Sequence, residues 1–110
     1  MTGQKFAVQL LLPLRDNAKE AFPKSVFDDI SRKLTEQFGG VTAYTRAPAE
    51  GTWESPEGAV HRDDVVVVET MADELDREWW ADYSRELESR FRQQTVIVRA
   101  LTYESLSSRT

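Results

Sequence analysis

Apolar and polar residues alternate near the start of the chain, and this pattern predicts a first strand from Lys5 to Leu14. One side of that strand carries only apolar residues: Phe6, Val8, Leu10 and Leu12. The other side combines Ala7, Gln9 and Leu11. Proline has no N–H to donate to a ladder, so we expect the pairing of this strand to end at Pro13.

The spacing of apolar residues then changes to three and four, which predicts an amphipathic helix. Pro23 suits the first turn of that helix, where its missing N–H costs nothing. The apolar stripe of the helix consists of Val26 or Phe27, Ile30, Leu34 and Phe38. We expect Gly39 and Gly40 to end the helix, because glycine adopts the left-handed cap conformation at little steric cost.

A second and a third strand are predicted from Val41 to Ala47 and from Asp64 to Met71. Alternation gives the second strand one side with Val41, Ala43 and Thr45 and another with Thr42, Tyr44 and Arg46. The third strand contains four consecutive valines, which suit a buried central strand. Between the two strands, Pro48 to Asp63 predicts a long irregular loop that contains Trp53.

A second helix and a fourth strand follow. Asp73 is expected to cap the helix, with Glu74 and Asp76 near its positive end. The inner stripe of the helix consists of Leu75, Trp79, Trp80, Tyr83, Leu87 and Phe91. The fourth strand is predicted from Thr95 to Tyr103, and residues 1–4 and 104–110 are expected to be loose termini.

This order of elements predicts a single α+β domain over residues 1–110 with a ferredoxin-like β-α-β-β-α-β sandwich. With right-handed crossovers, the first and third strands become the central strands of a four-stranded antiparallel sheet. Both helices then cover the same side of the sheet. The other side is left without a helix.

Strand alternation assigns a mixed set of residues to that helix-free side: Gln9, Leu11, Tyr44, Arg46, Val67, Glu69, Ile97, Arg99, Leu101 and Tyr103. Exposed apolar patches of this kind mark interaction sites. Either two subunits pack these faces together, or the face and the long loop enclose a small molecule. A plainer alternative is that Glu69 forms an ion pair with Arg46 or Arg99 on a sheet face that is exposed to solvent. Trp53, in the long loop, is expected to be a lid over this face, an interface residue or a satellite of the core.

Composition narrows the classes of function. The chain has 110 residues, of which 40% are hydrophobic and 30% charged, as in globular proteins. A net charge of −5 argues against a nucleic-acid partner, because phosphates attract basic surfaces. The chain has no cysteine, which excludes disulfides and thiolate chemistry, and no apolar run long enough for a membrane span. No signal peptide is read, so a cytoplasmic location is expected.

Motifs for catalysis are weak. His61 is the only histidine, and the carboxylates near it lack a second histidine to complete a metal site, so we expect no metal and no cofactor. The serines do not stand in a Gly-x-Ser-x-Gly frame, and no glycine-rich phosphate loop is present. His61 and Glu69 remain as weak catalytic candidates. The candidates for ligand binding or an interface are Gln9, Tyr44, Arg46, Trp53, Glu69, Arg99 and Tyr103.

Three segments carry a resemblance: the run from Gly40 to Trp53, the run from Asp64 to Glu69, and the pair Trp79 and Trp80. Together they resemble a group of small uncharacterised bacterial proteins. The element order is also similar to the dimeric α/β-barrel superfamily, which includes cofactor-independent monooxygenases. The first resemblance implies no activity, and the second implies a fold without catalytic positions.

Two hypotheses of function follow. The leading one is a binding or regulatory module that forms homodimers through its helix-free sheet face. The second is a small cofactor-independent enzyme, monooxygenase- or isomerase-like, for an anionic organic substrate. There, Arg46 and Arg99 hold the anion, Tyr44 donates a hydrogen bond, and His61 or Glu69 moves a proton. A third class, amino-acid-sensing domains similar to the ACT family, is disfavoured because no glycine lies between the first strand and the helix.

Overall fold

A computed structural model describes residues 5–46, 65–92 and 96–107. Along the chain they form β1 (Lys5–Pro13), α1 (Lys24–Phe38), β2 (Thr42–Arg46), β3 (Val65–Ala72), α2 (Arg77–Arg90) and β4 (Ile97–Tyr103). The predicted order is confirmed, and the bounds differ from the predicted ones by a few residues at most. The predicted loop from Pro48 to Asp63, with Trp53 and His61, lies outside the described residues.

The four strands form one antiparallel sheet with the order β2-β3-β1-β4. The predicted α+β fold is confirmed, since β1 and β3 are the central strands and α1 and α2 pack on one side. Gln9 of β1 lies opposite Glu69 of β3 and also opposite Arg99 of β4. Pro13 is the last residue of β1 in register, opposite Val65, as expected from its missing N–H.

The core lies between the sheet and the two helices. Three apolar residues of β1 form its floor: Val8, Leu10 and Leu12, each at most 1% exposed. Ile30 and Leu34 of α1 and Leu87 of α2 complete it from above, also nearly without solvent contact. Both helices therefore bury the stripes that their three- and four-residue spacing predicted.

Aromatic rings fill the space between the helices. Phe22 and Phe91 meet edge to face with centroids 4.9 Å apart, and Phe38 stacks on Trp80 at 5.3 Å with their planes 7° apart. Offset-stacked and edge-to-face pairs each add to the energy of area burial. Tyr83 lies in the same layer, where burial, followed by the charge of Glu86, raises its pKa to about 12.

Helix α1 begins one residue later than the proline rule suggests, because Pro23 is its N-cap residue and not its first helical residue. The Pro23 carbonyl accepts the first bond, from the Val26 N–H at 3.0 Å. At the other end, Gly39 takes the left-handed conformation with φ 92°, and its N–H bonds to the Thr35 carbonyl at 2.8 Å. Gly39 therefore acts as the predicted cap.

The predicted cap of α2 was wrong. Asp76 is the N-cap, and its carboxylate accepts a hydrogen bond from the Trp79 N–H at 3.0 Å. Asp73 instead forms an ion pair with Lys5 at 3.5 Å, at the end of the sheet. A capping oxygen must reach the N–H three residues on, so the acid that directly precedes the first helical turn takes this position.

One ion-pair cluster joins the two helices. Asp29 of α1 contacts Arg32 of the same helix at 2.7 Å and Arg90 at the end of α2 at 3.3 Å. The hydrogen bond from Arg90 is the largest effect that lowers the pKa of the Asp29 carboxyl. The cluster is solvent-exposed, so it adds little to the stability of the fold.

We expect Gly39→Ala to lower the free energy of unfolding by about 1 to 2 kcal/mol, because alanine pays the steric cost of a left-handed backbone. Gly40→Ala is the matched control: a Cβ there meets nothing within 4 Å and the residue has no positive φ. We expect its change to stay within about 0.5 kcal/mol. Urea denaturation measures both, and equal losses for the two variants would contradict the role given to Gly39.

Candidate functional site on the open sheet face

The sheet face without helices, called the open face below, is arranged in rows that cross the strands. The register places Tyr44, Val67, Leu11 and Ile97 in a first apolar row. The next row is the polar row, with Thr42, Glu69, Gln9 and Arg99. The second apolar row follows, with Met71, Ala7 and Leu101. Successive rows are about 7 Å apart, the length of two strand residues.

A hydrogen-bonded relay runs along the polar row. The Arg99 Nε donates to the Gln9 Oε1 at 2.9 Å, and the Gln9 Nε2 donates to the Glu69 Oε2 at 2.7 Å. Gln9 therefore uses both ends of its amide and joins a guanidinium to a carboxylate across three strands. Hydrogen bonds to charged partners are shorter and stronger than those between neutral groups. The relay therefore holds the three polar side chains at the centre of the open face in place.

The apolar rows on both sides of the relay are partly open to solvent. Five large apolar or aromatic side chains of the open face keep 37–49% of their surface exposed: Tyr44, Met71, Ile97, Leu101 and Tyr103. In contrast, Val67 and Ala7 at the middle of these rows are 2% and 9% exposed. The exposed apolar surface thus forms two bands, and the relay lies between them.

A shallow cleft of about 740 Å³ opens at the end of the sheet beyond the second apolar row. Its lining includes the ion pair of Lys5 with Asp73, and also Glu74, Met71 and Tyr103. The described lining therefore carries two carboxylates and one ammonium. This balance does not favour an anionic ligand in the cleft.

A smaller groove of about 240 Å³ lies on the helix side, between α2 and the edge strand β4. Trp80 contributes to its lining, and the indole N–H of Trp80 is buried with no hydrogen-bond partner among the residues that the structure describes. An unpaired buried donor costs about 1 to 3 kcal/mol. The nitrogen itself has almost no solvent-accessible surface, so the groove does not supply it with a partner.

The structure brings three of the predicted site residues into contact: Gln9, Glu69 and Arg99. Tyr44 and Tyr103 lie on the same face, in other rows. Arg46 ends β2 opposite Val65, two rows or about 14 Å along the strands from Glu69. Glu69 reaches Arg99 through Gln9, where sequence analysis considered only a direct bridge to Arg46 or Arg99.

Trp53 and His61 lie outside the described residues, as does the side chain of Arg46. The enzyme hypothesis needs a single pocket that contains Tyr44, Arg46 and Glu69 or His61. That pocket therefore stays a prediction. Among the residues that the structure describes, no group of three or more acidic, histidine or cysteine side chains could hold a metal ion. Neither described helix is long and apolar enough to cross a membrane.

Three residues at this face and its end were not among the predicted site residues: Met71, Lys5 and Asp73. Met71 follows Val67 and Glu69 at a spacing of two, so extending the alternation to the end of the third strand would have placed it on the open face. Lys5 carries the same signal, since it precedes Ala7 and Gln9 at a spacing of two, whereas Asp73 lies beyond the predicted end of the third strand. Their contact depends on the pairing of β1 with β3, which brings together residues 68 positions apart in the chain.

Comparison with known proteins identifies the fold alone. One solved structure, described as a phage SAM lyase in complex with S-methyl-5′-thioadenosine, is similar with a TM-score of 0.60 and 16% sequence identity. The likeness covers 93% of this chain and 84% of that chain. No family model and no curated protein matches the sequence. The resemblance to a group of bacterial proteins stays a prediction.

We expect Gln9→Leu to lower the free energy of unfolding by about 1 to 2 kcal/mol, because it breaks both relay bonds and leaves the part-buried Glu69 without its amide donor. Gln37→Leu, at an exposed glutamine of α1, is the matched control and should change stability by less than about 0.5 kcal/mol. Urea denaturation at one protein concentration gives both values. No difference between the two variants would show that the relay adds nothing to stability.

Proposed function

We propose that this protein is a cytoplasmic homodimeric module whose two subunits meet through their open faces, with binding or regulation as its role. The observation that carries the proposal is the concentration of exposed apolar surface there. Of the six large hydrophobic residues that stay exposed in the described part of the chain, five belong to the open face; the sixth is Leu106. Contiguous exposed apolar surface marks protein contacts.

Charge on the open face also suits a second copy of this chain. The protein carries a net charge of −5, so two copies repel each other over most of their surface. Among the described side chains of the open face, Lys5 and Arg99 balance Glu69 and Asp73. The described side chains of this face therefore carry no net charge, so a second copy of the chain meets no net repulsion there.

Leu101→Glu should weaken association of the subunits by about tenfold or more, because it places a charge in the second apolar row, where a partner would exclude water. Leu106→Glu is the matched control, since Leu106 is 91% exposed and lies beyond the end of β4. Light scattering coupled to size-exclusion chromatography, over a series of concentrations, gives the dissociation constants. A wild-type protein that stays monomeric throughout the micromolar range would contradict the proposal.

A second candidate is an enzyme for a small organic substrate with an anionic group, and the likeness in fold to a SAM lyase is the observation that favours it. The relay would supply the polar contacts, with Arg99 as the cation and Glu69 as the group that moves a proton. S-adenosylmethionine has a carboxylate that Arg99 would hold, whereas S-methyl-5′-thioadenosine has none. The two compounds therefore separate the role of Arg99 from general recognition of an adenosine thioether.

If this candidate is right, isothermal titration calorimetry should detect binding of both compounds to the wild-type protein. Arg99→Gln should weaken binding of S-adenosylmethionine by about tenfold or more and leave S-methyl-5′-thioadenosine unchanged, because only the former loses an ion pair. Arg85→Gln, at an exposed arginine of α2, is the control. Absence of heat for both compounds at millimolar concentration would remove these substrates from consideration.

A further inference from the structure

The relay has a direction. Its negative end, Glu69, lies on the central strand β3, and its positive end, Arg99, lies on the edge strand β4, with Gln9 of β1 midway between them. Each half of the polar row is thus the electrostatic complement of the other half. A surface with this property can bind a copy of itself if a symmetry axis exchanges the two ends.

Resting on the proposed homodimer, we infer that the subunits are related by a twofold axis that runs parallel to the strands and passes over β1. Such an axis lays the sheet of the second subunit over that of the first with the order of its strands reversed. Each row of one sheet then lies over the same row of the other. The axis lays β4 of one subunit over β3 of the other. Arg99 of each subunit then faces Glu69 of the second, which gives two equivalent ion pairs across the interface.

The same axis matches the apolar rows. Ile97 of one subunit falls opposite Val67 of the other, and Leu101 falls opposite Met71. Packed sheets lie about 10 Å apart, a gap that the long arginine and glutamate side chains can bridge together. Arginine has five N–H donors, and the relay occupies the one on Nε, so pairing across the interface does not require the relay to break.

Charge argues against two other simple arrangements. A twofold axis along the polar row, perpendicular to the strands, would put Glu69 opposite its own copy and Arg99 opposite its own copy. An axis along the second apolar row would put Glu69 opposite Asp73. Like charges that face each other in a desolvated interface repel each other strongly, so of these three axes the polar row favours the one parallel to the strands.

Charge reversal tests this arrangement. Glu69→Arg alone should face Arg99 of the partner, and Arg99→Glu alone should face Glu69, so each variant should dimerise at least about tenfold more weakly than the wild type. An equimolar mixture of the two variants should form a heterodimer, because both of its ion pairs are complementary. The double variant should form homodimers again. Sedimentation velocity distinguishes these species, with circular dichroism as the control for folding.

The outcomes separate the inference from the proposal on which it rests. A wild-type monomer would overturn the homodimer itself. A wild-type dimer whose two single variants dimerise as tightly as the wild type, or do not associate when mixed, would overturn the twofold arrangement and leave the homodimer in place. The expected result is a wild-type dimer, two single variants that associate weakly on their own, and restored association in the mixture and in the double variant.

A second measurement covers the case in which a charge-reversed variant fails to fold. The chain has no cysteine, so Leu11→Cys introduces a single thiol on β1, where the axis brings each residue opposite its own copy. A short bis-maleimide reagent should join these thiols into a covalent dimer. Arg85→Cys, on the exposed side of α2, should stay monomeric under the same conditions. A dimeric Leu11→Cys protein that gives no cross-link would overturn the inference.

Discussion

The two-residue period of β1 is the constraint on which the rest of the structure depends. Every row of the sheet that pairs β3 with β4 passes through this strand, so its side chains decide what each side of the sheet is made of. Val8, Leu10 and Leu12 form the floor of the core, while Ala7, Gln9 and Leu11 occupy the open face. A slip of one residue would exchange the two sets and bury the amide of Gln9 under the helices. Both the hydrophobic core and the relay are therefore consequences of a single register.

Features that depend only on a residue's own conformation or shape could be predicted from the sequence. Gly39 ends α1 because of its own backbone freedom, and the valines of β3 form a central strand because of their shape; neither depends on distant residues. The cap of α2 is different, since acids stand at positions 73, 74 and 76 and each suits a helix start. The choice depends on where the chain turns after β3, and on Lys5, which pairs with Asp73.

In the candidate site, too, some features follow from local sequence and others depend on distant residues. Alternation placed Gln9, Glu69 and Arg99 on one face, but it did not show that they share one row. That depends on the registers of two strand pairs, which join residues 60 and 90 positions apart in the chain. An alternation pattern shows which side a residue faces and gives no information about its neighbour on the next strand. The relay, and with it the polarity of the open face, becomes visible only when the strands are aligned.

The pairing of β1 with β4 also has a consequence for how the chain folds. Lys5 lies opposite Tyr103, so the sheet is complete only after β4 has left the ribosome. Until then, the side of β1 that β4 covers presents free N–H and C=O groups. Contacts of such large sequence separation slow folding, because a long loop must close before they form. The nascent protein therefore passes through a period in which β1 has an open edge, and its apolar residues need protection from other chains during synthesis.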